Sequence, residues 1–336
     1  MCRTASAVDR TWPPLFMKEK DMFSVGMIGA GSIGASHLAA VEHHPDTRLV
    51  AVADIVWERA QKAAAPYGAS AYSRYEEMLE KEHPQLVIIN LPHGLHETCV
   101  LTCAQFGAHM LLEKPMSVSH KSCVRMETAC KAADVLLQVG HVQRYIPQNR
   151  AVRAMIETGR LGELAMICDL RTNNYFTPKR PRWFLNRAMA GGGISMNYAA
   201  HSLDKIQYLT QSSIERMTGS CTYLQPETDV DGSAQMLLQT QSGVSASVSL
   251  CGYSVVPKDE TMLFFSRGAL RLHTGSDVAF TVGGTYEEID CTCYPNAFDA
   301  QWADFISGVR QGRILHCDSA YGAAIIKWIE QLYEKE

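Results

Sequence analysis

Ser24-Val25-Gly26-Met27-Ile28-Gly29-Ala30-Gly31-Ser32-Ile33-Gly34 is the stretch on which the fold of this chain turns. The residues up to Ile28 read as a buried strand, and Ser36-His37-Leu38-Ala39-Ala40-Val41 reads as the start of a helix, so three glycines sit at a strand-to-helix turn. Each glycine has its own physical reason: Gly29 permits the tight turn, Gly31 lets backbone N–H groups approach a pyrophosphate, and Gly34 lets the helix lie close to the strand. The helix N-terminus adds partial positive charge at the same place. Leu49-Val50-Ala51-Val52-Ala53 reads as a second buried strand ending in Asp54, about twenty residues beyond the last glycine, as the βαβ nucleotide fingerprint requires. Gly29, Gly31, Ser32, Ile33 and Gly34 are therefore the candidate pyrophosphate turn, and Asp54 the acceptor for the adenosine ribose hydroxyls. A carboxylate there repels a 2′-phosphate, which favours NAD over NADP; Arg59 lies too far along the next helix to reverse that preference.

The strand and helix signals continue outward. Short apolar runs at 85–90, 109–112 and 135–139, separated by helical patterns and joined by a short segment around Tyr72, indicate parallel strands buried on both faces. The expected fold class is α/β: an N-terminal Rossmann domain with a doubly wound parallel sheet, its ligand crevice at the carboxyl ends of the strands. Beyond Arg144 the pattern changes to alternating strands near 165–175, 215–224, 234–239, 244–250, 262–265, 269–273 and 278–282, with helices near 193–210, 297–311 and 318–334. This reads as a C-terminal α+β domain with a mainly antiparallel open sheet. One apolar face of such a sheet must be covered by helices or by another subunit, so a homodimer or homotetramer is expected. The division is an extension over 1–22, a dinucleotide-binding domain over 23–143, and a substrate-binding and oligomerisation domain over 144–336 whose last helix is a candidate to return to the first.

Composition narrows the partners. The 336 residues suffice for two domains, and a net charge of −4 leaves no basic footprint for nucleic acid or anionic membrane. There is no run of about 18 apolar residues and no secretory h-region in the first 22. Eleven cysteines lie scattered without a paired CxxC framework, and Cys291-Thr292-Cys293 has no matching partner pair, so no metal site is expected. Reduced thiols in a cytoplasm are the reading of that pattern.

Three later segments carry the chemistry. Asn90-Leu91-Pro92-His93-Gly94-Leu95-His96 and Leu111-Leu112-Glu113-Lys114-Pro115 end successive strands on the crevice side, and Gly191-Gly192-Gly193-Ile194-Ser195-Met196-Asn197-Tyr198-Ala199-Ala200-His201-Ser202-Leu203-Asp204 opens a helix in the second domain. With Arg144-Tyr145-Ile146-Pro147, their order and spacing resemble the family of glucose-fructose oxidoreductase, inositol dehydrogenase and the rhizopine-catabolism oxidoreductases (Gfo/Idh/MocA) over nearly the whole chain after residue 23. The resemblance implies NAD(P)-dependent oxidation of a secondary alcohol on a sugar, glycoside or cyclitol, the C3 hydroxyl of a glucoside being one option within the family. It makes Lys114 the active-site lysine that contacts the substrate hydroxyl, Pro115 the shaper of the nicotinamide site, and His201 the general acid/base. The chain departs from the family at Asn197, where aspartate is common.

Helical spacing supports the histidine independently: Asn197, His201, Asp204 and Tyr208 share one face, with Leu203, Ile206 and Leu209 on an apolar ridge. A neutral imidazole near its ordinary pKa suits removal of a hydroxyl proton during hydride transfer, and a nearby lysine stabilises the developing alkoxide. Asn197 hydrogen-bonds in both senses but holds no charge, which makes it a substrate clamp. Weaker candidates are Glu113, to orient the Lys114 loop or reach the nicotinamide ribose; Asn90, Pro92 and His96, toward the cofactor, with a helix-capping role for His96 equally open; and Arg144, Tyr175, Arg182 and Trp183, toward a sugar pocket, with a solvated basic loop and core aromatic as the alternative for the last two. Three functions remain compatible: an NAD-dependent dehydrogenase, a redox-assisted elimination with recycled NAD, and a non-catalytic sugar and nucleotide sensor.

Overall fold

The computed structural model describes residues 22–314 and 316–334, so all of the expected N-terminal extension except Met22 lies outside the described residues. Six strands, β1 (Phe23–Ile28), β2 (Thr47–Ala53), β3 (Ser70–Tyr72), β4 (Leu86–Ile89), β5 (His109–Glu113) and β6 (Leu137–Gly140), form a parallel sheet in the order β3-β2-β1-β4-β5-β6. Helices α1 (Gly34–His43), α2 (Trp57–Ala64), α3 (Tyr75–Glu82), α4 (His96–Gln105) and α5 (His120–Ala132) make the crossovers. The central strands are apolar on both faces because both are covered: Val25 pairs with Leu49 on one side and Leu86 on the other, and every residue of β4 is fully buried. Strand order reverses between β1 and β4, which opens the crevice where Gly29 and Asn90 leave the sheet.

After α6 (Pro147–Glu157) the second sheet carries eight strands: β7 (Leu164–Asn174), β8 (Ile214–Thr222), β9 (Ser233–Thr240), β10 (Ser245–Cys251), β11 (Tyr253–Phe265), β12 (Gly268–His273), β13 (Val278–Thr281) and β14 (Glu287–Glu288). Their order is β14-β13-β12-β11-β7-β10-β9-β8, antiparallel throughout except for the parallel pair β7–β10. β11 begins nine residues before the expected Met262, because the register shift between Tyr253 and Lys258 absorbs Pro257 and the charged run Lys258-Asp259-Glu260 finds ion-pair partners. Alternation decides which face is inside: Ala234, Met236 and Leu238 of β9 are buried, whereas Leu237 is 64% exposed. The short helix α7 (Arg187–Ala190) precedes the expected 193–210 helix, which opens as a π-helical turn over Ser195–Ala199 and continues as α8 (Ala200–Thr210), its ridge of Leu203, Ile206 and Leu209 sunk into the sheet's inner face.

Both C-terminal helices, α9 (Ala297–Arg310) and α10 (Ser319–Tyr333), return to the first domain. α9 lies along α1, placing Trp302, Phe305 and Ile306 in one buried cluster with Phe23, Leu38 and Val41, and Trp302 donates to Thr47 Oγ1 at 3.2 Å. α10, capped by Asp318, lies on α5, and Gly322 approaches so closely that a Cβ there would stand 2.6 Å from Val139. Just before it, Cys317 and Asp318 cover the open edge of β6, with Val139 N–H donating to Cys317 O at 2.8 Å. The apolar face of α9, which lies within the expected 144–336 unit, packs on the nucleotide-binding sheet.

Candidate active site

The turn after β1 is built to receive an anion. Gly29 has φ +90°, and a Cβ on it would stand 2.6 Å from Asn90 O, so only glycine lets β1 and the β4 exit lie this close. Gly31, Ser32 and Ile33 are exposed, nothing stands within 4 Å of the position a Gly31 Cβ would take, and no side chain caps α1. Gly34 stays close to Met27 of β1. Asp54 at the end of β2 is fixed facing this turn, accepting from Ala30 N–H and Val56 N–H at 2.8 Å each, with a further lone pair on each oxygen available for ribose hydroxyls. Asn90 donates to Gly29 O, while its own Oδ1 is buried without a hydrogen-bond partner among the described residues. Open backbone donors, a fixed carboxylate and an orphaned amide oxygen are what a dinucleotide completes, so these residues fit the group.

At the end of β5 the Glu113 carboxylate pairs with His37 Nε2 of α1 at 2.8 Å and accepts from Lys114 N–H at 3.2 Å. It ties the pyrophosphate helix to the lysine loop. Although burial alone would raise its pKa, the His37 contact and Lys114 hold it below the ordinary carboxylate value. The Lys114–Pro115 peptide is cis. His96 is wholly buried, with Nε2 2.8 Å from Leu91 O and Nδ1 3.1 Å from Pro115 O. It braces the β4 and β5 exit loops against each other, with both ring nitrogens engaged by backbone oxygens, and Pro92 is half-buried in the loop it braces.

Lys114 reaches into the second domain, where its Nζ donates to Asn197 Oδ1 at 2.7 Å and to Asn197 O at 3.2 Å. Burial, reinforced by the charges of Arg171 and Arg180 and opposed by Glu113, brings its pKa down to about 8. The segment presenting Asn197 is itself anchored. Buried Asp231 accepts from Gly193 N–H at 2.6 Å, Ser195 N–H at 2.8 Å and the Tyr333 hydroxyl at 2.8 Å, and a Cβ on Gly193 would collide with Asp231 O at 1.8 Å. One turn on, His201 has a buried Nδ1 without a hydrogen-bond partner among the described residues. Its pKa lies well below 6.5, first through burial and then through the cations Lys114 and Arg171, so the imidazole is neutral but a weaker base than its ordinary value implies. Asp204 does not support it; that carboxylate accepts from Arg144 at 2.7 Å and from Tyr321 at 2.8 Å.

His201 lines a cleft of ≈ 380 Å³ with Arg171, Asn173, Tyr198, Lys258 and Asp259 among its walls. Beneath it lies a buried ion cluster in which Lys205 meets Asp169 at 2.6 Å and Asp259 at 3.0 Å, and Arg171 meets Asp259 at 2.9 Å. None of the four side chains expected to line a sugar pocket lines this cleft. Arg144 is nearly buried and therefore paired, with Asp204 below and the Tyr321 ring 4.6 Å away. Arg182 is exposed, and Trp183 stacks on Phe184 with ring centroids 3.7 Å apart, against His93. Tyr175 is fully buried beneath the Arg180 guanidinium, 3.9 Å from its ring centre. Arg171, Asp259, Lys205, Arg180 and Asp231 went unnoticed in the sequence. Asp169 and Arg171 had a readable signal, since they occupy the same strand face as buried Ile167, where apolar residues belong.

Comparison with known proteins gives the same picture. Residues 23–141 match the family model described as an oxidoreductase family with an NAD-binding Rossmann fold, and residues 149–271 match the GFO/IDH/MocA C-terminal domain. An inositol 2-dehydrogenase of Rhizobium meliloti is 27% identical over 303 residues, 85% of this chain and 88% of that protein. A 1-carboxy-3-chloro-3,4-dihydroxycyclohexa-1,5-diene dehydrogenase of Comamonas testosteroni is 26% identical over 71% of this chain, which spans 60% of that relative. Among solved structures, the aldose-aldose oxidoreductase of Caulobacter crescentus, complexed with glycerol, superposes with a TM-score of 0.84 at 22% identity, covering 93% of this chain and 97% of the other.

Proposed function

This chain belongs to the Gfo/Idh/MocA family of oxidoreductases with an NAD-binding Rossmann domain, and on that premise we propose that it oxidises a secondary hydroxyl of a sugar, glycoside or cyclitol, passing the hydride to NAD. The observation that supports this reading best is the meeting of Lys114 with Asn197 across the two domains, beside His201 with its unpartnered ring nitrogen. A bound nicotinamide supplies the hydride acceptor, and Gly29, Gly31, Ser32, Ile33, Gly34 and Asp54 are the residues that would hold the nucleotide.

The chain's own groups do the rest. Lys114, in its ammonium form below about pH 8, hydrogen-bonds the reacting hydroxyl and stabilises negative charge as it develops on oxygen. His201, neutral at pH 7, takes the hydroxyl proton; general-base help of this kind is worth about 10²–10⁴ in rate. Asn197 holds the lysine in place through two oxygens and has its amide N–H groups left to donate to substrate. The test is the absorbance spectrum of the purified protein with NAD and, in turn, glucosides, free hexoses, inositols and carboxylate-bearing sugars. Growth of the reduced-nicotinamide band with one class supports the reading and names the substrate. Bound nucleotide with no reduction by any of them, and no reoxidation of NADH by the corresponding ketones, overturns it.

Self-association belongs to the same proposal. The outer face of the second sheet presents Met166, Leu237 and Phe264 at 42%, 64% and 36% exposure, an apolar set that a second subunit would cover. A homodimer or homotetramer through this face is expected, checked by light scattering on the intact protein and on Leu237→Glu.

A further inference from the structure

The corner where Lys114 meets Asn197 is short of negative charge. Lys114 Nζ is held by two neutral oxygens, the side-chain and backbone oxygens of Asn197, and no carboxylate lies within ion-pair distance of it among the described residues. Its neighbour Glu113 is already engaged with His37 and with the Lys114 backbone. Arg180 stands close by and is equally unmatched. Its Nε donates to Tyr175 O, its planar face rests over the Tyr175 ring at 3.9 Å, and Phe184 lies 5.0 Å away. These contacts fix the guanidinium without neutralising it, and its two terminal amino groups make no hydrogen bond or ion pair among the described residues.

The other charges nearby are spent. Both oxygens of Asp259 are taken by Lys205 and Arg171, Asp169 lies between Lys205 at 2.6 Å and Arg171 at 3.7 Å, Lys258 is paired with Glu260 at 3.2 Å, and buried Asp231 is engaged by the Gly193 and Ser195 N–H groups and the Tyr333 hydroxyl. Oxidised nicotinamide brings one further positive charge on binding. Two half-desolvated cations without counter-ions, on a site that must accept a third, are costly unless a ligand supplies the anion. A guanidinium held by its face and its Nε offers the remaining edge as a preformed fork for a planar anion. A bound anion would also lift the basicity of Lys114 and His201, both held down by surrounding cations.

We propose that the substrate is a polyhydroxy acid, a sugar or cyclitol bearing a carboxylate, and that Arg180 binds that carboxylate while Lys114 and His201 act on a hydroxyl of the same molecule. This rests on the dehydrogenase reading and narrows it to acidic substrates. Arg180 offers a single planar fork, and the only helix beginning nearby among the described residues is the one-turn 3-10 segment Arg182–Leu185, so a carboxylate is the anion it suits, with a phosphate as the competing anion in the test.

The experiment compares matched pairs on the intact protein with NADH bound: D-glucuronate against D-glucose, D-gluconate against D-glucitol, and D-glucose 6-phosphate as the second anion. Binding is read by NADH fluorescence and turnover separately by kcat/KM with NAD. A charge-assisted contact of this kind is worth roughly 10- to 100-fold in affinity, so at least one acid should bind that much tighter than its neutral partner. Arg180→Gln should collapse that ratio to near one, and Arg180→Lys should retain part of it; unchanged NADH binding verifies that both variants are folded. If neither acid outbinds its neutral partner, if the phosphate binds best, or if Arg180→Gln leaves the ratio intact, the inference is wrong. Acid-selective binding without turnover of any compound would instead overturn the dehydrogenase reading while leaving the carboxylate site standing.

Discussion

Replacing Asn197 with aspartate puts a formal charge 2.7 Å from Lys114 Nζ, where the native chain has a neutral amide oxygen. Two opposite charges 4 Å apart in a partly buried site interact by about 4 kcal/mol, a ceiling of about three pKa units at 1.36 kcal/mol per unit. Carboxylate neighbours ordinarily move a cation's pKa by about 1–3 units. Lys114, brought down to about 8 in the native protein by burial and by Arg171 and Arg180, should therefore titrate between about 9 and about 11 in Asn197→Asp. The direction follows from the role of the ammonium. Activity that needs protonated Lys114 falls as pH rises through its pKa, and a higher pKa postpones the fall. The assay is kcat/KM for the alcohol against pH at saturating NAD. The native alkaline limb is expected near pH 8 and that of Asn197→Asp at least about one unit higher, while Asn197→Ala, which keeps the backbone acceptor, shows a milder loss without an upward shift. The acid limb, assigned to His201, is expected well below 6.5 in the native protein, because burial and the cations Lys114 and Arg171 lower its pKa. An alkaline limb that does not move between native and Asn197→Asp refutes both the geometry and the role assigned to Lys114.

Other outcomes follow from the same contacts. Lys114→Ala and His201→Ala should each lower kcat/KM by about 10²–10⁴ with NAD binding retained, and a fully active His201→Ala would remove that residue from the mechanism. Asp54→Ser should weaken NAD binding by about 10- to 100-fold through lost ribose hydrogen bonds and narrow the preference over NADP, both read by fluorescence titration. Lys205→Met leaves Asp169 and Asp259 facing each other in the buried cluster and should cost about 3–5 kcal/mol in chemical denaturation. Asp169, held at about 2 against an ordinary 3.8 because Lys205 and Arg171 outweigh its burial, contributes about 2 kcal/mol of stability that is fully present above about pH 4 and lost as pH falls through about 2; Asp169→Asn should flatten that part of the denaturation profile.

The nucleotide half of the site was legible because its chemistry is local. Gly29, Gly31 and Gly34 would act through backbone geometry and Asp54 through its carboxylate, all at fixed offsets along one βαβ unit, so spacing alone locates them. Lys114, Asn197 and His201 stand out through strand-end and helix-face positions, but their mutual contact spans 83 residues and depends on how two sheets are joined. Arg144 misled for the same reason: nothing in Arg144-Tyr145-Ile146-Pro147 announces that Asp204 and Tyr321 wait beside it. Arg180 lay hidden inside a run of basic residues that reads as a solvated loop until Tyr175 is placed beneath it. The early start of β11 was masked by Pro257 and three charges, a pattern that argues against a strand unless a bulge and ion partners are supplied from elsewhere.

The return of α9 to the nucleotide-binding domain also dictates a schedule. Phe23 and Trp302 belong to one cluster, yet roughly 280 residues separate them, and at a ribosomal pace of about 5–20 residues per second the first strand waits about 15–60 s for its covering helix. During that interval Phe23, Leu38 and Val41 lack an apolar lid, so the sheet made before the other one is the later of the two to become watertight. A truncation that removes only α9 and α10 spares every candidate catalytic side chain. It would nonetheless leave the nascent nucleotide-binding sheet permanently in its unfinished state, sticky to chaperones and open to proteases, with the damage surfacing about 260 residues upstream of the cut.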